Sequence, residues 1–315
     1  MKIVILDAKT LGDDIVFDKL EELGELVVYT NTKPSEIAER MKDCDVAVMN
    51  KLKPTREDID KAKKLKLICV TATGYDNIDI GYCKEKNIGV ANVIGYSTDS
   101  VAQLTVALVL ELMMHMSVYT DFVRSGDYTR SGVANRLSPA FCELAGKKWG
   151  IVGMGNIGKR VAMVAGAFGC SVYYTARSEK ELGKRLELDE LMSECDIITV
   201  HLPLSAETKG IITKEHLENM KDGAVIVNAA RGAVWDEEAL AKEVKSGRIY
   251  AATDVYSKEP LPEEHCFWDI KDAENFVMTP HMAWGAIEAR IRCIDEIAEN
   301  IKAFTKGEIR NRVEL

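Results

Sequence analysis

Short apolar runs alternate with helix-like segments through the first part of the chain. Helical patterns, such as residues 34–41 and 56–64, lie between the runs. Because strands buried on both faces of a parallel sheet are apolar along their whole length, this order predicts a parallel sheet covered by helices on both sides. The predicted strands are residues 3–6, 26–29, 46–49, 67–70 and 89–93.

A second alternating series begins near Lys148 and extends to residue 278. Its apolar runs have the same character as those of the first series, and helical patterns again lie between them. The sequence therefore predicts an α/β fold with two units in one chain. The predicted strands of the second unit are residues 149–152, 171–174, 196–200, 224–228, 250–252 and 276–278.

A long helical pattern over residues 99–124 separates the two series. Thr98 or Asp99 is expected to cap it, since either side chain accepts hydrogen bonds from first-turn amides. Most positions from Val101 to Met114 are apolar, so the helix is expected to be buried on most sides. Burial within the chain and burial in a dimer are both consistent with this pattern. A last amphipathic helix, residues 286–305, is expected to return to the first unit.

Length and charge limit the classes of protein that the chain can belong to. At 315 residues it exceeds one ordinary hydrophobic core, so two domains are expected. Its composition, with 47% hydrophobic and 29% charged residues, is that of a globular enzyme. The net charge of -9, without a basic cluster, argues against a nucleic-acid partner because phosphate backbones repel an acidic surface.

Location and metal content also have sequence signals. The first apolar run ends at Asp7 and is too short for a signal-peptide core or a membrane span, which predicts a cytoplasmic protein without a membrane partner. The eight cysteines include no C-x-x-C pair. Clustered ligands are what a structural metal site needs, so buried reduced thiols and no metal are expected.

A glycine-rich loop follows the first strand of the second series. It reads Gly153-Met154-Gly155-Asn156-Ile157-Gly158 and precedes a helical pattern over residues 157–168. In a strand–loop–helix context the first glycine permits the tight turn, the second admits a pyrophosphate, and the third lets helix and strand pack closely. The loop therefore predicts a dinucleotide site; the alternative is a glycine-rich turn without a ligand.

The tip of the next strand bears on the choice between NAD and NADP. An acid is expected there when the adenosine ribose diol is bound, but Ala176, Arg177 and Ser178 stand at this position. An arginine beside hydroxyl groups suits a 2′-phosphate, which favours NADP over NAD. The alternative is that Arg177 stacks on adenine or is solvated.

Three polar residues stand at or just beyond strand ends in the second series, namely Arg231, Glu259 and His281. Ligands of open α/β sheets bind at the carboxyl ends of strands, so these residues are expected to converge. Arginine suits a substrate carboxylate and a carbonyl oxygen, and histidine suits proton transfer near neutral pH. A neighbouring glutamate orients the ring and favours the imidazolium. The alternatives are surface ion pairs and a capping histidine.

The chain resembles the D-isomer-specific 2-hydroxyacid dehydrogenase family along nearly its whole length. The resemblance rests on five motifs in the family's order. They are Ala72-Thr73-Gly74-Tyr75-Asp76-Asn77-Ile78-Asp79, the glycine loop, Asn228-Ala229-Ala230-Arg231-Gly232, Asp254-Val255-Tyr256-Ser257-Lys258-Glu259-Pro260, and Thr279-Pro280-His281-Met282-Ala283-Trp284. The resemblance implies two Rossmann-like domains with parallel sheets and a homodimer. The discontinuous, flavodoxin-like substrate domain would span residues 1–98 and 286–315, and the dinucleotide-binding domain residues 99–285.

The resemblance also implies residue roles. His281 would be the acid/base, Glu259 its partner, and Arg231 the group that holds and polarises a 2-oxo acid. The backbone amides of Thr73 and Gly74 would bind the substrate carboxylate from the other domain. Asp254 would bind the nicotinamide carboxamide. Other implied cofactor contacts are Val101, His201, Leu202, Pro203, Thr208, Ala229 and Ala230, and other implied pocket residues are Leu52, Tyr75 and Trp284. Trp284 alternatively seals the domain junction.

Within the family, the chain is similar to the glycerate dehydrogenase (hydroxypyruvate reductase) branch. The similarity lies in Trp284, in Glu288-Ala289-Arg290 and in the segment from Gly95 to Ala102. Gln103 and Thr253 depart from the commoner glutamate and leucine. This branch implies hydride transfer from NADPH or NADH to hydroxypyruvate or glyoxylate, with His281 donating the proton.

Several related functions compete with this interpretation. Glu259 argues against a formate dehydrogenase, which pairs its histidine with glutamine. No residues are left for the regulatory domain that phosphoglycerate dehydrogenases often carry. D-lactate dehydrogenase activity stays open. So does a redox-sensing NAD(H)-binding protein like the corepressors built on this fold, although the chain has no low-complexity tails.

Overall fold

The computed structural model describes all residues from 1 to 315 and divides the chain into two compact units. One unit, here the terminal unit, comprises Met1–Ser97 and Trp284–Leu315. The other, the central unit, comprises Thr98–Ala283. The boundaries expected from the sequence, after residues 98 and 285, differ from these by one and two residues.

Five parallel strands form the sheet of the terminal unit, in the order β2-β1-β3-β4-β5. The strands are β1 (Lys2–Ile5), β2 (Glu25–Val28), β3 (Val46–Met49), β4 (Leu67–Val70) and β5 (Gly89–Ala91). The helices are α1 (Asp18–Glu21), α2 (Ile37–Met41), α3 (Arg56–Lys61), α4 (Ile80–Glu85) and α12 (Ile287–Thr305). This strand order is the flavodoxin-like one, so the sequence prediction is confirmed.

Alternate residues of these strands pack into two hydrophobic clusters on opposite faces of the sheet. Ile3 and Ile5 contribute to the cluster that α12 completes, whereas Val4 contributes to the cluster under α2. Both faces are therefore covered, which explains why the strands show no polar side. As expected, the last helix belongs to this unit.

Seven parallel strands form the sheet of the central unit, in the order β12-β11-β10-β9-β6-β7-β8. The strands are β6 (Lys148–Val152), β7 (Ser171–Thr175), β8 (Lys184–Arg185), β9 (Ile197–Val200), β10 (Val225–Asn228), β11 (Tyr250–Thr253) and β12 (Phe276–Met278). The chain reverses its direction of travel across the sheet between β6 and β9, the position where Rossmann folds bind dinucleotides. Strand β8 was missed because its two residues are charged and exposed.

The helices of the central unit differ from the prediction at one place. They are α5 (Thr98–Met114), α6 (Met116–Arg124), α7 (Asp127–Ser131), α8 (Asn156–Ala167), α9 (Leu188–Glu194), α10 (Lys214–Glu218) and α11 (Glu237–Lys245). The single helix predicted over residues 99–124 is therefore wrong. It is two helices bent by 63° at His115, which has a left-handed φ of 52°. The buried His115 ring lies 5.8 Å from that of Tyr250, a contact that residue patterns do not indicate.

Helix α5 begins at Thr98, one or two residues earlier than a cap at Thr98 or Asp99 would place it, so neither residue is its N-cap. Its apolar side chains, including Val101 and Leu108, are buried in the central unit, where α5 packs against α8.

No single helix combines the length and the apolarity that a bilayer crossing requires. Only the bent pair α5 and α6 meets these criteria, by length and composition alone.

The two sheets share one type of hydrogen bond. In each, an aspartate directly before a strand, β3 or β9, accepts from the first residue of the neighbouring strand, β1 or β6. In the terminal unit, Asp45 accepts a hydrogen bond from the backbone N–H of Lys2 at 2.8 Å. In the central unit, Asp196 accepts one from the backbone N–H of Lys148, also at 2.8 Å. Hydrogen bonding to Lys2, and to the Lys66 ammonium, lowers the pKa of Asp45. The two units thus repeat one local device for joining adjacent strands.

Candidate active site

The glycine loop connects β6 to α8, and its glycines have three different steric roles. Gly153 has a φ of 100°, and a Cβ there would lie 2.9 Å from the carbonyl oxygen of His201. A Cβ on Gly158 would lie 2.2 Å from the carbonyl oxygen of Gly153. By contrast, nothing lies within 4 Å of a Cβ on Gly155. The loop therefore has open space at its second glycine, beside the N-terminus of the 12-residue helix α8, as a pyrophosphate requires.

The tip of β7 carries a cationic side chain that is already paired. The Arg177 guanidinium forms an ion pair with Glu207, and both side chains are largely exposed. Ser178 accepts a hydrogen bond from the Lys180 ammonium at 2.8 Å. Ala176 and Ser178 lie beside Arg177 in the same turn. The sequence interpretation missed Glu207, which comes from the loop after β9 and gives this tip the acid that the strand itself lacks.

The loop after β9 contains the predicted adenine-side residues. His201 donates its backbone N–H to Val152 at 2.8 Å, while both of its ring nitrogens are buried without a hydrogen-bond partner. Burial lowers the pKa of His201 to about 3, so the ring is neutral. Leu202 lies beside Gly153. Thr208 shapes this loop, donating to the carbonyl oxygen of Pro203 at 2.6 Å.

Asn228, at the end of β10, organises the turn that carries Arg231. Its side chain is fully buried, donates to the carbonyl oxygen of Arg231 at 3.0 Å and accepts from the N–H of Ala230 at 3.0 Å. Arg231 donates to the carbonyl oxygen of Ala230 at 2.8 Å. Ala229, the other small residue of the turn, is buried. The motif asparagine thus explains how the backbone presents the arginine.

His281 and Glu259 are in direct contact. The Nδ1 of His281 lies 2.7 Å from a carboxylate oxygen of Glu259. The other oxygen of Glu259 accepts from the backbone N–H of Tyr256 at 3.3 Å. His281 has a left-handed φ of 53°, and its N–H donates to the carbonyl oxygen of Thr279 at 3.1 Å. A carboxylate at Nδ1 orients the imidazole ring and leaves Nε2 as its other polar atom.

Asp254 holds the segment that carries His281. It is fully buried, and one carboxylate oxygen accepts from the Thr279 hydroxyl at 2.6 Å and from the N–H of Met282 at 2.8 Å. The other oxygen accepts from the N–H of Ala283 at 2.8 Å. Ser100, next to Val101 in the first turn of α5, donates to the carbonyl oxygen of Ala283 at 2.5 Å. Asp254 therefore fixes the backbone on both sides of the histidine.

In the terminal unit, the segment after β4 carries Thr73, Gly74 and Tyr75. The Thr73 hydroxyl donates to the carbonyl oxygen of Val93 at 2.8 Å, and the Thr73 carbonyl accepts from Asn92 at 2.7 Å. These bonds hold the peptide that precedes Gly74. Trp284, in the same unit, packs edge-on against Tyr96 with ring centroids 6.5 Å apart.

Two residues to which the sequence interpretation gave no role, Asp7 and Asn77, hold the loop at Leu52. The Asp7 carboxylate, beyond the end of β1, accepts from the backbone N–H groups of Asn50 and Lys51 at 2.9 to 3.1 Å. Burial raises the pKa of Asp7, against the lowering effect of these hydrogen bonds. Asn77 donates to the carbonyl oxygen of Leu52 at 2.6 Å. The rule that polar residues at strand ends mark a site would have selected Asp7.

A family model and the similar proteins of known name indicate the same family for this chain. Residues 106–283 match the model of the family described as "D-isomer specific 2-hydroxyacid dehydrogenase, NAD binding domain". The chain is 37% identical to a hydroxypyruvate reductase of Blautia hydrogenotrophica, over 98% of both proteins. It is 33% identical to a glycerate dehydrogenase of Methylorubrum extorquens, over 99% of both.

A solved structure is similar over almost the whole chain. It is that of an acyclic imino acid reductase in complex with NADPH and D-Arg, which is 30% identical to this chain. The TM-score is 0.87, and the alignment covers 99% of this chain and 100% of the other. The predicted fold of two parallel α/β domains is thus confirmed by a relative as well as by the strand order.

Proposed function

Since the chain belongs to the D-isomer-specific 2-hydroxyacid dehydrogenase family, we propose that it reduces a small 2-oxo acid, such as hydroxypyruvate or glyoxylate, to the 2-hydroxy acid. The contact between His281 and Glu259 at 2.7 Å carries this proposal. It orients protonated His281 for proton donation through Nε2, and the reduction of a carbonyl group to an alcohol requires such a donor.

The proposed reaction assigns one role to each residue of the trio. The dihydronicotinamide, when bound, would be the source of the hydride that C2 of the 2-oxo acid accepts. As the C=O π electrons move to oxygen, His281 gives its Nε2 proton to that oxygen, so the product is a neutral hydroxyl group. Glu259 stabilises the imidazolium before this transfer. Arg231 binds the carboxylate and polarises the carbonyl, which its fork of donors suits.

The remaining site residues form part of the same proposal. We assign the backbone N–H groups of Thr73 and Gly74 to the substrate carboxylate, because neither donates a hydrogen bond within the protein. Leu52, Tyr75 and Trp284 are assigned to the substrate pocket. Asp254 is assigned to the nicotinamide carboxamide in addition to the His281 segment, since a carboxylate oxygen accepts two hydrogen bonds and one of its oxygens has one donor.

We propose NADP as the preferred cofactor, with NAD as the alternative. Support comes from Arg177, Ser178 and Lys180 at the tip of β7, where a 2′-phosphate would find two cations and a hydroxyl. The glycine loop, Gly153 to Gly158, would bind the pyrophosphate. The adenine would lie along His201, Leu202 and Pro203, with Thr208 supporting their loop. Val101, Ala229 and Ala230 are proposed to line the remainder of the cofactor path.

A homodimer in the cytoplasm is the proposed state of the protein, without a nucleic-acid or membrane partner. Residues 114–141 support the dimer, because this part of the central unit exposes an unusual number of large apolar side chains. They are Met114, Met116, Val123, Tyr128, Val133, Leu137 and Phe141. Apolar patches of this kind mark protein interfaces.

The test is cofactor oxidation at 340 nm with NADPH and NADH in parallel, against hydroxypyruvate, glyoxylate, pyruvate and phenylpyruvate. The first two acids are expected to be turned over fastest. His281→Ala is expected to lose about 10²- to 10⁴-fold in kcat while binding cofactor normally. His216→Ala is the control, because the His216 ring contacts Thr213 and Asp189 and none of the three residues Arg231, Glu259 and His281. Turnover led by pyruvate would indicate a D-lactate dehydrogenase. Cofactor binding without any turnover would favour a redox sensor.

A further inference from the structure

The central unit contains a largely buried carboxylate–imidazole pair, Glu237 and His265, in addition to the pair formed by Glu259 and His281. Glu237 is the first residue of α11, and His265 begins the turn Cys266–Ile270. The Nε2 of His265 lies 3.1 Å from one carboxylate oxygen of Glu237, and each side chain is only 10% exposed. Ionisable side chains are rarely buried to this extent unless they are paired.

The hydrogen bonds of His265 indicate which of its ring nitrogens donates to Glu237. Its Nδ1 accepts the backbone N–H of Phe267 at 3.3 Å, and the rings of His265 and Phe267 lie 4.7 Å apart. Because Nδ1 is an acceptor, the ring proton resides on Nε2, which donates to Glu237. His265 therefore holds one carboxylate oxygen and leaves the other to a different donor.

That other donor belongs to the segment after β11, which carries Glu259. The second carboxylate oxygen of Glu237 accepts the backbone N–H of Ser257 at 2.9 Å. Ser257 lies two residues before Glu259, and the preceding residue, Tyr256, donates its own N–H to Glu259. Glu237 consequently holds the Tyr256–Ser257 peptide group, and the neighbouring N–H of Tyr256 donates to Glu259.

The Tyr256–Ser257 peptide also contacts the arginine turn. A Cβ on Gly232 would lie 1.9 Å from the carbonyl carbon of Tyr256 and 2.2 Å from the nitrogen of Ser257. The backbone after Arg231 therefore rests directly on this peptide, and only glycine permits so close an approach. A shift of the peptide would move the arginine turn with it.

The histidine segment is joined to the same peptide through the Tyr256 side chain. The Tyr256 hydroxyl donates to the carbonyl oxygen of Thr279 at 2.9 Å, and that carbonyl also accepts the N–H of His281. Burial, reinforced by nearby carboxylates, raises the pKa of Tyr256 to about 12, so the hydroxyl keeps its proton. Contacts from one peptide and one side chain thus reach all three segments of the trio.

We propose that Glu237, oriented by His265, is a positioning residue: it holds the Tyr256–Ser257 peptide and thereby sets the spacing of Arg231 from the His281–Glu259 pair. The expected effect on KM and kcat rests on the proposed function, whereas the expected effect on the backbone around Arg231 and Glu259 does not. A carboxylate is required because two N–H donors converge on the side chain. Glutamine has one acceptor and would present an N–H to one of them.

The experiment compares Glu237→Gln and Glu237→Ala with the wild-type protein, and Glu238→Gln is the matched control. Glu238 is adjacent in α11 but exposed. With the 2-oxo acid that the wild-type protein reduces fastest, both Glu237 variants are expected to have a higher KM and a lower kcat. The expected loss in kcat/KM is about 10- to 100-fold, since a misplacement of about 1 Å costs on the order of 10²-fold. Gln is expected to lose less than Ala. The Kd for NADPH should not change.

A role in stability alone would have a different kinetic signature. Loss of folded protein lowers apparent kcat in proportion to the active fraction and leaves KM unchanged. That result, or equal activity of Glu237→Ala and Glu238→Gln, would overturn the proposal.

Hydrogen exchange measured by mass spectrometry gives a second readout that needs no turnover. Peptides covering residues 229–235 and 254–262 are expected to exchange faster in Glu237→Ala than in Glu238→Gln, because the Ser257 amide loses its acceptor. Unchanged exchange would refute the positioning role even if the enzyme is active. Faster exchange in a protein that turns over none of the acids would support positioning while the proposed function fails.

Discussion

His281 lies in a backbone conformation that residues other than glycine seldom adopt, with a φ of 53°. Such a conformation persists only where neighbouring groups over-determine it. Here the Asp254 carboxylate accepts from the N–H groups of Met282 and Ala283, and Thr279 accepts from His281 itself. At the residue scale, therefore, the orientation of the histidine depends on a buried aspartate as much as on Glu259.

The pairing of Arg177 with Glu207 leads to a prediction about cofactor choice. A carboxylate beside the 2′-phosphate site repels that phosphate, so Glu207→Gln is expected to raise the ratio of NADPH to NADH affinity by about 3- to 10-fold, as a Coulomb energy of about 1 kcal/mol implies. Cofactor Kd values from fluorescence titration measure it. Arg177→Gln should shift the ratio the other way, and exposed Glu181→Gln is the control. An unchanged ratio in Glu207→Gln would remove Glu207 from the site.

His201 leads to a prediction about stability and pH. Burial holds its pKa at about 3 in the folded protein, against about 6.5 in an unfolded chain. Between these values only the unfolded state binds the proton, so the free energy of unfolding falls as pH drops below about 6.5, by up to about 1.4 kcal/mol per unit. Urea unfolding of the cofactor-free protein at pH 7, 6 and 5 should show a shallower decline in His201→Gln. Parallel curves would contradict the prediction.

At the scale of elements, most candidate functional groups follow the carboxyl end of a parallel strand. Asp7 follows β1, Arg231 follows β10, and Asp254 follows β11. Parallel strands with right-handed crossovers bring all such ends to one edge of a sheet. Within each unit, the element order therefore brings together residues that are distant in sequence, while the turns after the strands determine how each side chain is presented.

The C-terminal segment protects an edge of the terminal unit. Val313 donates its N–H to Val90 at 2.9 Å, the N–H of Val90 donates to the Glu314 carboxylate at 2.9 Å, and that of Asn92 donates to Asn311 at 3.2 Å. Removal of residues 311–315 deletes these three hydrogen bonds and leaves β5 as an open edge, which favours aggregation. The segment thus acts as the last backbone partner of the sheet.

Deletion of residues 311–315 is expected to destabilise the terminal unit by about 2–4 kcal/mol, since each lost hydrogen bond contributes about 0.5–1.5 kcal/mol. Urea unfolding followed by circular dichroism measures the change. Deletion of Leu315 alone, whose side chain is 65% exposed, is the matched control and should have little effect. Equal midpoints for the two truncations would show that the pairing with β5 contributes nothing.

At the scale of the whole molecule, the exposed apolar residues of the 114–141 segment predict self-association. The wild-type protein is expected to sediment as a dimer. Replacing Val133, Leu137 and Phe141 by serine removes large apolar side chains that are at least half exposed, and should yield a monomer in sedimentation-velocity experiments, because interfaces depend on buried apolar anchors. Met163→Ser, on the exposed side of α8, is the control. A wild-type monomer, or a triple variant that remains dimeric, would refute this interface.

Local signals in the amino-acid sequence were enough to predict every strand except β8, the glycine loop, and Arg231, Glu259 and His281 as candidate site residues. Apolar runs and short motifs are local signals, so they survive without knowledge of the chain's path. Long-range packing, in contrast, brings Glu207 to Arg177, Asp7 to the loop at Leu52, and Glu237 and His265 to the segment that carries Glu259. Each of these contacts joins segments that are far apart in sequence, and no local pattern records which of them meet. The break at His115 has the same origin, since it accompanies packing against Tyr250 in a distant strand.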